Sequence, residues 1–298
     1  MPLQGAPENF LSGEVMFVDG IKGRGQVTVL SQGDWKALVD SYGGQVLGLF
    51  YQGKNILHYD AEDISHSGIP LCVPNFGPLV NGEFLSAGKA YKMGQHGFIR
   101  DRLLTVCAIS ENAVSYRFVA DQISKQKYPF DFEFTVTYSI SDLGLKISLN
   151  VDNLSCEELP LAPGVHPYFS VENPLEVCFE TDALTANNNL NNYAIETLAD
   201  SEYVESVTDK SGRYRVLKNP EIHLIGHSAG SIKLYPEADI PISIYFDNAV
   251  FNRLIIWRKS SDAKYICVEP AYVKNGLNDQ PLIISAQGNW QTELLIAV

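Results

Sequence analysis

The sequence predicts an all-β protein, a sandwich or a barrel, on three observations. Its strongest segments alternate apolar and polar side chains at a period of two, turn-forming residues bound those segments, and apolar periodicity of helical length is scarce. Many short strands joined by short turns need a second sheet, or closure of one sheet on itself, to bury their apolar faces.

The first strands are read at residues 26–30 and 45–51, each entered from a glycine, and a third at Ala113–Val119. The clearest lies at 130–140, where Phe130, Phe132, Phe134, Val136, Tyr138 and Ile140 alternate with polar residues, as a half-buried strand requires. Ser141-Asp142-Leu143-Gly144 then supplies turn chemistry, and Leu145, Ile147, Leu149 and Val151 alternate again, which reads as an antiparallel hairpin. Asn187, Asn188, Asn189, Asn191 and Asn192 interrupt the pattern and read as a surface loop. Further strands are predicted at 231–234, Ile242–Phe246, Arg253–Trp257 and 265–268. No fixed repeat occurs, and a chain of 298 residues is long enough for one large β core, so a single domain over 1–298 is expected.

Composition narrows the function. With 45% hydrophobic and 19% charged residues the chain should fold by itself. A formal net charge of -13 makes a phosphate backbone a poor partner, which argues against nucleic acid. The five cysteines, Cys72, Cys107, Cys156, Cys178 and Cys267, are scattered and form no Cys-x-x-Cys pair, so neither a disulfide framework nor a spaced zinc motif is expected. Residues 1–10 lack a basic stretch leading into an apolar one, and no run of about 18 apolar residues occurs, so a cytoplasmic protein with no membrane partner is expected.

Two motif matches dissolve on inspection. Gly226-His227-Ser228-Ala229-Gly230 fits the G-x-S-x-G elbow of serine hydrolases, but that elbow needs a helix after the serine and a later histidine. Residues 231–246 read instead as strands containing Pro236 and Pro241, and no histidine follows His227, so a turn is expected. His223 and His227 are four apart without the glutamate and the helix of an H-E-x-x-H metal site. His58 and His66 lie near turn residues and receive no catalytic task.

Three separated segments are more informative: Gln95-His96-Gly97-Phe98-Ile99-Arg100, Leu161-Ala162-Pro163-Gly164-Val165-His166-Pro167-Tyr168-Phe169 and Tyr265-Ile266-Cys267-Val268-Glu269-Pro270. Each sets a titratable group beside Gly or Pro and aromatic residues at the end of an apolar strand, where a side chain can face a cleft. In that order they resemble the aldose 1-epimerase family, whose members carry an H-G-F-x-R, then an H-P-Y-F, then a V-E-P segment. Gly43-Gly44-Gln45-Val46-Leu47, the stretch from Gly68-Ile69-Pro70 through Asn75-Phe76-Gly77, and Arg253-Leu254-Ile255-Ile256-Trp257 extend the likeness over about residues 40–280.

The resemblance implies a large antiparallel β-sandwich of the galactose mutarotase-like kind, as a monomer or homodimer, acting on a small-molecule sugar with no cofactor and no metal. It implies that Glu269 takes the proton of the anomeric hydroxyl as general base while His166 protonates the ring oxygen as general acid. A nearby carboxylate is expected to favour the protonated form of that histidine. His96 and Arg100 would hold sugar oxygens, Asp247 is a candidate for the family's additional substrate-binding aspartate, and Tyr168, Phe169 and Trp257 would offer apolar faces. The chain departs from the family in two places. Members acting on hexose 6-phosphates carry an arginine shortly before the segment matching Gly68-Ile69-Pro70, where His66 and Ser67 stand here. Others carry one just after the glycine matching Gly77, where Pro78 donates nothing.

Overall fold

The computed structural model describes residues 17–18, 20–207, 212–237 and 241–298. The segment 1–10 considered above lies outside them. Two antiparallel sheets face each other, one of ten strands and one of eight, with smaller sheets packed around them. Both large sheets are open, so the sandwich, not the barrel, is what the sequence encodes.

The ten-stranded sheet is built on the predicted hairpin. Phe132–Ser141 pairs with Gly144–Asn153 from Phe132↔Asn153 to Ser141↔Gly144, leaving Asp142 and Leu143 as the loop. Phe132, Phe134, Val136, Tyr138 and Ile140 are all buried, as their alternation requires. Ala113–Val119 pairs on one side of this hairpin and Asn289–Ala297 on the other. A four-stranded sheet, Val27–Gln32, Trp35–Asp40, Val46–Tyr51 and Lys54–Asn55, is tied to it by buried tyrosines. The Tyr116 hydroxyl donates to Thr28 Oγ1 at 2.8 Å, and that of Tyr138 donates to the Gly44 carbonyl.

The eight-stranded sheet carries the chemistry. Its strands include β1 (Gly164–Val165), β2 (Tyr168–Ser170), β3 (Thr185–Asn188), β4 (Glu221–Ile225), β5 (Arg253–Trp257) and β6 (Tyr265–Ala271). They run in the order β3-β4-β5-β6-β1, with β2 also paired to β6. Because successive side chains point to opposite faces, each strand divides its residues between two environments. Ile222, Leu224, Leu254, Ile256, Ile266 and Val268 join Phe134, Val136 and Tyr138 in one core between the sheets. Their neighbours Glu221, His223, Ile255, Trp257, Cys267 and Glu269 lie on the other face. Register places His223 opposite Ile255 and Ile255 opposite Glu269, so these three form one row across the sheet.

The asparagine cluster is only in part the surface loop its composition suggested: Asn191 and Asn192 are exposed in a turn, and the first two asparagines are not. Asn187 and Asn188 are buried on β3, paired with His223 and Ile222. Their amides are satisfied internally: Asn187 Nδ2 donates to the Tyr193 carbonyl at 3.1 Å, and Asn188 Oδ1 accepts from the Leu190 amide at 3.0 Å. Polar composition alone does not distinguish such a strand from a loop. The Ser228 turn is a turn as read: Asp182 Oδ2 accepts from the Ser228 amide at 2.8 Å, its hydroxyl at 2.7 Å and the Ala229 amide at 3.0 Å. Among the described residues no helix is long and apolar enough to cross a membrane.

Candidate functional site

The polar face of the eight-stranded sheet floors a cavity of about 520 Å³. Gly164 on β1 sits opposite Ala271 on β6, so antiparallel register carries His166 toward Glu269, two residues back along β6. The outcome is a close pair, with His166 Nε2 3.4 Å from Glu269 Oε1 and side chains only 8% and 3% exposed. Both line the cavity. The chain must pass tightly here, since a Cβ on Gly164 would fall 2.4 Å from Phe76 Cδ2. Across the pair, the His166 ring stacks on Tyr168 at 4.7 Å and 10°.

His96 is held by an unusual backbone. It adopts φ 65° and Gly97 follows at φ 73°; a Cβ on Gly97 would lie 2.2 Å from the Val73 carbonyl oxygen, so only glycine fits. This turn aims the His96 ring edge-on at His166, 5.1 Å between centroids. The Gly77 amide donates to His96 Nδ1 at 3.2 Å, which requires a lone pair there and places the proton on Nε2. Burial lowers the His96 pKa to about 3, so the ring is a neutral N–H donor. Arg100, in the short turn Ile99–Asp101, donates Nη2 to the Ser65 carbonyl at 2.7 Å and lines the same cavity.

The pair differs electrostatically from the sequence expectation. Glu269 does not hold His166 in its protonated form; burial acts on both and disfavours charge on each. The Glu269 carboxyl is raised well above the ordinary range, first by burial and then by the Glu221 charge, and His166 is lowered, first by burial and then by the neighbouring His96. Glu269 Oε1 and His166 Nδ1 are buried without a hydrogen-bond partner. His166, Cys267 and Glu269 also bring three metal-competent ligand atoms within 4.8 Å of one another.

His166, Glu269, His96 and Arg100 thus meet in one place. Asp247 does not join them: it lies exposed away from the cavity, and its Oδ1 accepts from the Ala249 amide at 2.8 Å to close a turn. Tyr168 and Trp257 line the cavity, whereas Phe169 is buried in the core on the other side of its strand. His66, passed over in the sequence, reaches the rim and places Nδ1 2.8 Å from Asp63 Oδ1. Asn189, Glu221, His223 and Lys274 were also passed over and line the cavity. Asn189 Nδ2 donates to Glu221 Oε1, and Lys274 Nζ donates to Asn189 Oδ1 at 2.6 Å. A signal for two of them was present in Glu221-Ile222-His223-Leu224, where ionisable groups alternate with aliphatics on a strand.

The sequence model of the family described as Aldose 1-epimerase matches residues 61–218. That span includes His96, Arg100 and His166 and stops before Glu269. The chromosomal LacX protein of Lactococcus lactis subsp. lactis is 23% identical over 188 residues, 59% of this chain and 62% of the relative, so the chain spans under two thirds of that relative's length. Among solved structures, the Slr1438 protein from Synechocystis sp. PCC 6803 superposes with a TM-score of 0.79 at 22% identity, covering 92% of this chain and 96% of that one. A galactose mutarotase-like protein from Lactobacillus casei ATCC 334 gives 0.77 at 21%, covering 91% and 99%. At these identities the likeness establishes the fold.

Proposed function

We infer that this chain, which belongs to the aldose 1-epimerase family, interconverts the α and β anomers of an aldohexose in the cytoplasm by acid–base ring opening and reclosure. The observation that carries the reading is the His166–Glu269 pair, 3.4 Å apart on the floor of a sugar-sized cavity with His96 edge-on beside it.

Ring opening needs a proton to leave the anomeric hydroxyl as another reaches the ring oxygen. Glu269 takes the first and His166 gives the second. Once the ring has opened, the proton sits on the carboxyl and the imidazole is neutral, which is the distribution that burial favours. Rotation of the aldehyde and the reverse transfers yield the other anomer. Before opening, the anomeric hydroxyl donates to the orphaned Glu269 Oε1 and favours its ionised form. His96, fixed as an Nε2–H donor, and Arg100 hold sugar oxygens. Trp257 and Tyr168 face the sugar's C–H groups.

The test is anomer exchange followed by NMR on free and 6-phosphorylated hexoses, with Glu269→Gln as control. Exchange above buffer that is lost in the variant supports the reading. Exchange on the 6-phosphates alone would move the substrate to hexose 6-phosphate, a reading that Arg100 and Lys274 in the cavity favour. Binding of sugar without exchange would make the protein a carbohydrate-binding module.

A further inference from the structure

We propose that His166, Cys267 and Glu269 form a site for a divalent cation of the zinc class, and that filling it stops the proton transfers of the His166–Glu269 pair. The blocking half of this proposal rests on the function inferred above; the binding half stands without it.

Cys267 and Glu269 are two residues apart on β6 and therefore share its cavity face, while His166 reaches them from the turn after β1. A thiol, an imidazole and a carboxylate are the donors zinc prefers, and three protein ligands with a fourth position open is the pattern of sites that exchange their outer ligand. The present spacing, within 4.8 Å, exceeds the roughly 3.5 Å between ligands at tetrahedral zinc, so the side chains must close by about an ångström. All three are buried, and two of the donors carry atoms that lack a hydrogen-bond partner, Glu269 Oε1 and His166 Nδ1. Buried orphan polar atoms are costly, and an ion relieves that cost at Glu269 Oε1, the carboxylate oxygen that faces His166 Nε2.

Charge balances as well. On binding, the Cys267 proton and the one proton held by the His166–Glu269 pair both leave to solvent, and thiolate plus carboxylate then neutralise the doubly charged ion with neutral His166 as third ligand. His96 stands 5.1 Å from His166 and is itself neutral, so it does not repel the cation. The filled site has no catalytic competence for the sugar reaction, because the Glu269 and His166 lone pairs that must accept and relay protons are bound to metal. Cys267 takes no part in those transfers, which makes it the position at which the two functions separate.

The experiment titrates the whole protein with Co²⁺ as a spectroscopic probe and with Zn²⁺ during anomer exchange, in wild type and in Cys267→Ser, with Cys267→Ala as a second variant should serine fold poorly. The proposal expects a 1:1 thiolate-to-cobalt charge-transfer band in the near ultraviolet, absent from both variants. It also expects Zn²⁺ to abolish exchange reversibly on chelation, with the variants needing roughly 100-fold more ion once the thiolate ligand is gone. A cobalt spectrum without that band, or equal zinc sensitivity in wild type and variants, overturns it. Zinc stimulation overturns the blocking role. A normal cobalt band in a protein that exchanges no sugar supports the ion site and overturns the epimerase reading instead.

Discussion

At the scale of single residues, the two partners are pushed in opposite directions by one cause, burial. Glu269 is raised and His166 lowered, so across the working range the pair holds one proton. Activity should fail when a second proton arrives, on His166 and hence below its ordinary pKa of about 6.5, and when the shared proton is lost, above the ordinary carboxyl range. A rate profile flat from pH 3 to pH 10 would contradict the pair. Glu269→Gln separates catalysis from stability. Exchange should fall by roughly 10²–10⁴-fold, the worth of one positioned proton transfer. Stability should move the other way at high pH. A raised folded-state pKa contributes stability that is fully present below the unfolded value and lost as pH rises through the folded one. At pH 8, above the unfolded carboxyl pKa, wild type therefore carries a cost of up to about 1.4 kcal/mol for each unit of the shift, which glutamine removes. Denaturant melts at pH 5 and pH 8 test this: a variant that is no more stable relative to wild type at pH 8 than at pH 5 contradicts it.

At the scale of elements, β1 exists to bring His166 to Glu269, and its closeness to Phe76 is the constraint on it. Gly164→Ala would place a Cβ at 2.4 Å from Phe76, a ring that lies 5.0 Å from His96 and 6.3 Å from His166, so displacing it tilts both imidazoles. Exchange should fall about tenfold or more with a stability loss of about 1–3 kcal/mol from overpacking. Phe76→Leu in the same chain should restore part of both, and additive effects in that double-mutant cycle would show the two sites do not communicate. This contact also marks what the sequence could disclose. The Phe132–Ser141 hairpin and Arg253–Trp257 were legible because period-two alternation is a local consequence of burying one face. His166 and Glu269 were legible only through the resemblance to a family's ordered segments, since register across β1, β5 and β6 is what unites them. The Cys267 donor set was illegible for the same reason: its ligands come from two segments a hundred residues apart, so cysteine spacing argued against a metal motif. Asp247 failed because an aspartate that closes a turn and one that faces a ligand have the same local sequence signature.

At the scale of the whole molecule, burial in the sandwich favours the neutral form of five histidines. Burial lowers His58, His96, His166, His223 and His227, with His96 and His223 reaching about 3. For a lowered group the stability contribution is complete above the unfolded pKa near 6.5 and is lost as pH falls from there toward the folded value. Glu269 runs the other way and offsets one of these losses. While the opposed shifts of His166 and Glu269 act against each other, His96 and His223 should together lose about 3 kcal/mol between pH 6.5 and pH 5. That is a large part of the roughly 5–15 kcal/mol that holds a folded domain, so acid unfolding should begin well above the pH at which surface carboxylates protonate. His223→Asn isolates one contributor. Its Nδ1 bonds the Tyr193 hydroxyl at 3.3 Å, a bond that an amide can replace. The variant's stability should decline more shallowly below pH 6.5, by up to about 1.4 kcal/mol per pH unit, in urea melts at half-unit steps. Parallel wild-type and variant curves would mean that His223 titrates as freely in the fold as in the unfolded chain, and that the polar face of the eight-stranded sheet is wetter than its packing indicates.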